Sequence, residues 1–200
     1  VQHTILGKVV TGFTEIHDNI APPEIFKLVT DEIHKGIWSF SNRSSGSDMN
    51  ASFGANDYQV SLNAAIAQDR FNEFNIIYNL WHSINNHVKI EKNYKNTLRR
   101  VFFNANYPLS DQRLHQDNEA TFSKDITMVY FAHDEWDLSW GGELLLYDIA
   151  KTKVIEGSPP VPNRLVIFPS HLPHRGVPVS RISPKMRVSI AFQCKFDNTI

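Results

Sequence analysis

Leu98-Arg99-Arg100-Val101-Phe102-Phe103-Asn104-Ala105-Asn106-Tyr107 begins a series of short segments rich in β-branched and aromatic residues, separated by Gly, Pro, Asp or Asn. Segments of this composition read as strands. Working outward, the next are Arg113 to Asp117, Ile126 to Ala132, Glu143 to Tyr147, Arg164 to Phe168, Gly176 to Val179 and Arg187 to Cys194. Many short strands at this spacing predict a sandwich or barrel.

Upstream of Leu98 the period changes. Pro22 and Pro23 open a segment in which Ile25, Leu28, Val29, Glu32 and Ile33 recur at three- and four-residue spacing, which predicts an amphipathic helix ending near Gly36. A longer helix is expected from about Asp69 to Lys92, with Phe71, Phe74, Ile77, Tyr78, Trp81, Ile84 and Val88 on one side. His82 and His87 fall off that stripe and read as surface residues. Between the helices, Ser39 to Asn56 has the Ser, Asn and Gly content of a loop, long enough to be a functional segment. No repeat, linker or low-complexity tract interrupts the chain. We expect one α+β domain over residues 1–200, with helical support over 1–97 and a jelly-roll-like barrel over 98–200. The barrel mouth is where interior side chains of several strands converge.

Composition narrows the function classes. Two hundred residues with 42% hydrophobic content suffice for one sizeable core, and no stretch approaches the ~20 apolar residues of a spanning helix. A formal net charge of −1 and scattered Lys and Arg, apart from Arg99-Arg100, give no basic field for nucleic acid. The single cysteine, Cys194, forms no internal disulfide, and no positively charged leader precedes a hydrophobic run. These features lead us to expect a cytoplasmic protein with neither nucleic-acid nor membrane partners. They leave the oligomeric state open.

His115-Gln116-Asp117 with His174 carries the chemistry. A His-x-Asp triplet alone is a weak signal in a chain with nine histidines. The interval between Asp117 and His174, however, leaves room for several strands of a closing sheet that return the distal histidine to the first pair. Two imidazoles and one carboxylate on one face of an octahedral ion leave three positions open, the arrangement of non-haem Fe(II) oxygenases. His171 competes with His174 for the distal position, but it sits in the Pro169-Ser170 turn, and His174 is preferred. His133 forms a His-x-Glu with Glu135 and reads as a surface turn.

These motifs occur in a recognisable order. Asn106-Tyr107-Pro108 precedes the triplet, then come Thr127-Met128-Val129-Tyr130-Phe131 leading to Trp136, and Gly141-Gly142-Glu143-Leu144. Arg164-Leu165-Val166-Ile167-Phe168 leads through Pro173-His174 and Pro178-Val179 to Arg187-Val188-Ser189. In this order and spacing the run from Arg99 to Phe196 resembles the Fe(II)/2-oxoglutarate-dependent dioxygenases, and within them the prolyl 4-hydroxylase branch. The resemblance implies a double-stranded β-helix in which His115, Asp117 and His174 bind Fe(II). It further implies 2-oxoglutarate as cosubstrate, O2 as oxidant, succinate and CO2 as co-products, and hydroxylation of an unactivated C–H bond.

The residue chemistry agrees with that expectation. Two neutral imidazoles and one carboxylate leave the ion positively charged toward an anionic keto acid. Arg187 offers a planar fork for the far carboxylate, and Ser189, two residues on, shares its strand face. By position in the family, Tyr107 would donate its hydroxyl to the same carboxylate. Arg187 stands 13 residues beyond His174 with Arg181-Ile182-Ser183-Pro184 between them, so Lys185 and Arg181 are alternative cations. Trp136 and Trp140 are either substrate contacts or buried support, and Gly141-Gly142 marks a tight approach or bend. The resemblance suggests a peptidyl proline as substrate, with Ser39 to Asn56 and Asp134 to Trp140 as walls of a peptide groove. The other expectations are a small-molecule or free amino-acid hydroxylase of the same cofactor class, and a non-catalytic barrel holding a metal or a carboxylate.

Overall fold

In the computed structural model, described for residues 14–35, 39–42, 52–54, 60–61, 75–88, 95–110, 112–120 and 124–197, eleven strands and two α-helices can be assigned. In chain order they are β1 (Glu15–His17), α1 (Pro23–Lys35), β2 (Ser39–Asn42), β3 (Ser52–Gly54), β4 (Val60–Ser61), α2 (Asn75–His87), β5 (Lys95–Asn106), β6 (Ile126–Phe131), β7 (Leu144–Tyr147), β8 (Val154–Ser158), β9 (Leu165–Pro169), β10 (His174–Gly176) and β11 (Arg187–Asp197).

The strands form two antiparallel sheets. The larger runs β1-β9-β6-β11-β5-β3-β2, with β4 also pairing β5; the smaller runs β10-β7-β8. The central strands β6 and β9 read ITMVYF and LVIFP, and every residue of both is buried. Such near-continuous apolar runs arise when a strand is covered on both faces.

One face of the larger sheet carries the helices. Pro23 fixes the first turn of α1, and Glu24 places a carboxylate near its N-terminal dipole. Val29 and Ile33 of α1, with Ile77, Leu80, Trp81 and Ile84 of α2, join Met128, Tyr130, Ile190 and Phe192 in the main core. Trp81 stacks on Phe192 with ring centroids 5.5 Å apart. Each large side chain buried this way contributes about 1.5–3 kcal/mol. On the opposite face Val129, Phe131, Val166 and Phe168 pack against Leu144, Leu146 and Leu172. Three layers result: helices, larger sheet, smaller sheet.

Several expectations are corrected. Ser39 to Asn56 is not simply a loop: β2 and β3 pair with each other, and β3 pairs with β5. Backbone hydrogen bonding tolerates Ser- and Asn-rich strands at a sheet edge, where apolar alternation is not required; residues 43–51 lie outside the description. The first half therefore supplies β1 to β4 as well as helices. Arg113 to Asp117 makes one bridge, His115 to His174, instead of a strand. The segment expected at Gly176 to Val179 is shifted: β10 ends at Gly176, and Val179 bridges Pro108 and Gly141. Leu28 and Tyr78, placed on the helical stripes, are 51% and 43% exposed, while Leu80 is fully buried. The ends expected for the second helix, with Phe71 and Phe74, lie outside the described residues. Among the described residues no helix is long and apolar enough to cross a membrane.

Candidate metal centre

Alternation along the strands creates a cavity between the two sheets. On β11, Val188, Ile190 and Phe192 face the helices, so Arg187, Ser189, Ala191 and Gln193 face the other way. Their cross-strand partners on β5 are Asn106, Asn104, Phe102 and Arg100. Thr127 and Val129 of β6 continue the floor, and Leu144, His174 and Gly176 of the smaller sheet roof it. The cavity, open to solvent on one side, has a volume of about 250 Å3.

His115, Asp117 and His174 meet in this cavity, their ligand atoms all within 4.8 Å of one another. The backbone sets the pairing: His115 N–H donates to His174 O at 3.0 Å and His174 N–H donates to His115 O at 2.8 Å. Asp117 is placed by its N–H donating to Ser170 O at 3.0 Å. The Nε2 atoms of His115 and His174 each lie 3.7 Å from an Asp117 carboxylate oxygen. His115 Nδ1 donates to Arg113 O and His174 Nδ1 to Leu172 O, both at 2.9 Å. A carbonyl only accepts, so the proton sits on Nδ1 in each ring and Nε2 presents its lone pair. Burial holds His174 below the ordinary imidazole value; Asp117 opposes that shift and His115 reinforces it. The ring is therefore neutral and able to ligate at neutral pH.

Asp117 has further support that the sequence reading missed. Thr127 Oγ1 donates to Asp117 Oδ2 at 2.6 Å, and Ser170 Oγ lies 3.0 Å from Thr127 Oγ1. Thr127 spends its only proton on the carboxylate, so Ser170 is the donor in the second contact. Gln116, between the two ligands, donates to His171 O at 2.7 Å and pins the segment. His171 contributes its carbonyl there, and its ring is outside the ligand group; among the described residues no fourth His, Cys, Asp or Glu joins that group.

At the other end of the cavity stands Arg187, 2% exposed. Its Nη1 donates to Asn106 Oδ1 at 3.1 Å, and Gln112 Nε2 donates to the same oxygen at 3.1 Å. Gln112 Oε1 in turn accepts from Gly176 N at 3.0 Å. Arg187 Nε and Asn106 Nδ2 are buried without a hydrogen-bond partner. Two orphaned buried donors on hydrogen-bonded side chains are costly unless an acceptor completes them. Burial pushes Arg187 down to about 10, with Glu143 opposing, so the guanidinium is still charged at neutral pH. Space for it depends on two glycines: a Cβ on Gly142, which has φ +81°, would come 3.1 Å from Arg187 Cδ, and one on Gly176 would come 2.6 Å from Gln112 Oε1.

The remaining candidates fall into place. Ser189 is buried and lines the cavity beside Arg187. Tyr107 stands outside the cavity lining and is 54% exposed; Asn106, one residue before it, is the neighbour of Arg187. Lys185 points away, held by Asp134 at 2.9 Å and Glu135 at 3.0 Å. Arg181 is exposed. His133, expected in a surface turn, is 3% exposed and packs on Trp136. Trp136 itself serves as support, donating to Gly141 O at 3.0 Å and crossing Trp140 at 5.3 Å.

A family profile described as the 2OG-Fe(II) oxygenase superfamily matches residues 102–193, the stretch that carries every ligand and Arg187. Over that stretch, a little under half of its length, the chain resembles that superfamily. No curated protein sequence matches it. Among solved structures, a prolyl hydroxylase from Trichoplax adhaerens, in complex with a hypoxia inducible factor oxygen degradation domain peptide fragment, is 20% identical. That alignment covers 91% of this chain and 83% of that one, with a TM-score of 0.58. A prolyl-4-hydroxylase from Pseudomonas putida is 16% identical over 91% of each chain, at TM-score 0.59. A 2OG-Fe(II) oxygenase family oxidoreductase from Burkholderia pseudomallei is 12% identical over 92% of this chain and 86% of that one, at TM-score 0.65. At these identities the likeness is one of fold. The cofactors that the 2OG-Fe(II) oxygenase family implies are Fe(II), 2-oxoglutarate and O2. The residues here fit them: three ligand atoms converge with their lone pairs free, and a buried cation with an orphaned donor waits for a carboxylate.

Proposed function

We propose that the protein is a 2-oxoglutarate- and Fe(II)-dependent dioxygenase that hydroxylates an unactivated C–H bond, and that the bond belongs to a peptidyl proline. The observation that carries this reading is the pairing, within one cavity, of a three-ligand group that has no fourth protein ligand among the described residues with a buried guanidinium whose Nε has no hydrogen-bond partner. Iron(II) held there would supply oxidative decarboxylation of 2-oxoglutarate by O2 and, with it, the oxidising power for the C–H bond. In this assignment His115, Asp117 and His174 hold the metal, and the Nδ1 contacts and the Thr127 hydroxyl keep the three ligands oriented. Arg187 takes the far carboxylate of 2-oxoglutarate, Asn106 Nδ2 supplies a second donor, and Ser189 lies on the same strand face. Tyr107, exposed, receives no part in it. We read the two facing sheets as a jelly-roll barrel and residues 1–200 as one oxygenase domain.

A peptide substrate is supported by the Trichoplax prolyl hydroxylase, which is in complex with a peptide fragment, and by size. Ligand pockets that enclose whole small molecules run to about 300–1,000 Å3. A cavity of about 250 Å3 that would also have to hold the cosubstrate suits one inserted side chain better than a second complete molecule. The test is an anaerobic Fe(II) titration followed by 2-oxoglutarate, watching for the visible charge-transfer band of a keto acid chelating ferrous iron. The band should appear and be lost in His174→Ala. Iron binding without the band would leave the non-catalytic binding barrel as the better account.

A further inference from the structure

The cavity has a second cation, at the end away from Arg187, and neither the metal group nor the cosubstrate reading uses it. Arg100 of β5 lines the cavity opposite Gln193 of β11, in the same row as Thr127, the residue that holds Asp117. From Arg187 to Gln193 is six residues of extended chain, roughly 20 Å. Arg100 thus stands at the end of the cleft that holds the ligand group, and Arg187 at the other.

The backbone places Arg100 there by a specific device. Along β11 the partner of Gln193 is Arg100, but the partner of Cys194 is Leu98, so Arg99 is an extra residue on β5. A bulge of this kind re-aims the side chains beside it. Leu98 packs against the helix-side core while Arg100, two residues on, faces the cavity; regular alternation would put both on one face. Arg99 turns outward to Asp125 at 3.0 Å. Among the described residues no carboxylate lies within ion-pair distance of Arg100. Its guanidinium rests over the ring of Phe102, another cavity residue, 3.4 Å from the centroid, which fixes the fork without neutralising it. The acid that lines this cleft is Asp117, and its charge is committed to a divalent ion once the metal is bound.

We propose that Arg100, with Gln193 beside it, recognises an anion on the primary substrate, so that the hydroxylated compound carries a carboxylate close to the carbon that is oxidised. The inference rests on the oxygenase reading and specifies its substrate class. A planar guanidinium stacked on an aromatic ring suits a carboxylate, which it can engage through two parallel N–H donors.

The experiment uses the full chain loaded with Zn(II), which supports no turnover, and saturated with 2-oxoglutarate. Calorimetry compares N-acetyl-L-proline with N-acetyl-L-prolinamide, and blocked alanyl-prolyl-glutamate with its glutamine counterpart. In at least one pair the acid should bind about tenfold more tightly than its neutral partner. That preference should vanish in Arg100→Gln and return in part in Arg100→Lys. A preference in the first pair alone assigns a free carboxylic acid; in the second alone, an acidic residue beside the proline. Equal binding within both pairs, or a preference that survives Arg100→Gln, overturns the proposal. So does loss of 2-oxoglutarate binding in Arg100→Gln, which would put Arg100 at the cosubstrate. Failure of the unmodified protein to bind 2-oxoglutarate is a separate result: it removes the oxygenase reading and this inference with it.

Discussion

Asp117 is held at the correct angle by a hydroxyl the sequence did not advertise. Thr127→Val keeps the shape of the side chain but removes the proton donated to Asp117 Oδ2. Partners of metal ligands typically contribute 10–100-fold to affinity. Divalent-metal affinity should therefore fall by about that factor in Thr127→Val, checked by competition with a chelating dye; unchanged affinity would show that the carboxylate orients itself. Arg187 poses the opposite balance. Its burial without a full set of partners is a cost to the fold, and apolar replacement of buried charged groups is often neutral or stabilising. Arg187→Met should weaken 2-oxoglutarate binding by about a hundredfold, the scale of a desolvated charge-assisted pair, while the ligand-free protein melts no lower than the parent. Calorimetry and a thermal melt on the same preparation test both halves.

The ends of elements supply the space in which those residues work. Between the turn after Trp140 and β7, Gly141 and Gly142 both adopt positive φ, and Gly142 packs against Arg187 Cδ and the Trp136 ring. Gly142→Ala adds a Cβ where the left-handed backbone disfavours one, at about 1–2 kcal/mol, and where Arg187 already stands. We expect a lower urea midpoint together with weaker 2-oxoglutarate binding, and a loss of stability without a loss of binding would separate the glycine from the site. The paired motif was legible as a bend, but its packing against Arg187 was not, because nothing local couples Gly142 to β11. In the same way Ser39 to Asn56 carries the composition of a loop, yet its two ends become β2 and β3 through backbone bonds with distant partners.

At the scale of the whole molecule, three layers exclude water from one end of the site, and that burial makes stability depend on pH. His174 is held below its ordinary value, chiefly by desolvation. Between that depressed value and about 6.5, the unfolded chain takes up a proton that the folded chain refuses, so stability falls as pH drops through this window. With metal removed by chelator, the urea midpoint should decline from pH 7 to pH 5, and the decline should be shallower in His174→Asn. Ligands that bind only the folded state act in the other direction. Mn(II) with 2-oxoglutarate, each at about a hundred times its dissociation constant, should add about 2.7 kcal/mol per independent site, read as a raised melting temperature that disappears in His174→Ala.

Local pattern alone determined much of this protein. Runs of β-branched and aromatic residues marked β5, β6, β9 and β11, three- and four-residue apolar spacing marked both helices, and the His115-Gln116-Asp117 triplet, His174, Arg187 and Ser189 were legible as a candidate metal and carboxylate site, whose members the fold brings into one cavity. The tertiary structure alone decided which neighbours complete each group. Asn106 in place of Tyr107 beside Arg187, Thr127 and Ser170 behind Asp117, Lys185 turned out to Asp134 and Glu135, and Arg100 aimed into the cleft by a bulge are all consequences of register between strands far apart in the chain. Register is set by how two sheets and two helices close over a common core, and a one-residue shift moves every side chain to the opposite face. The linear order of residues does not display that shift until the strands have paired.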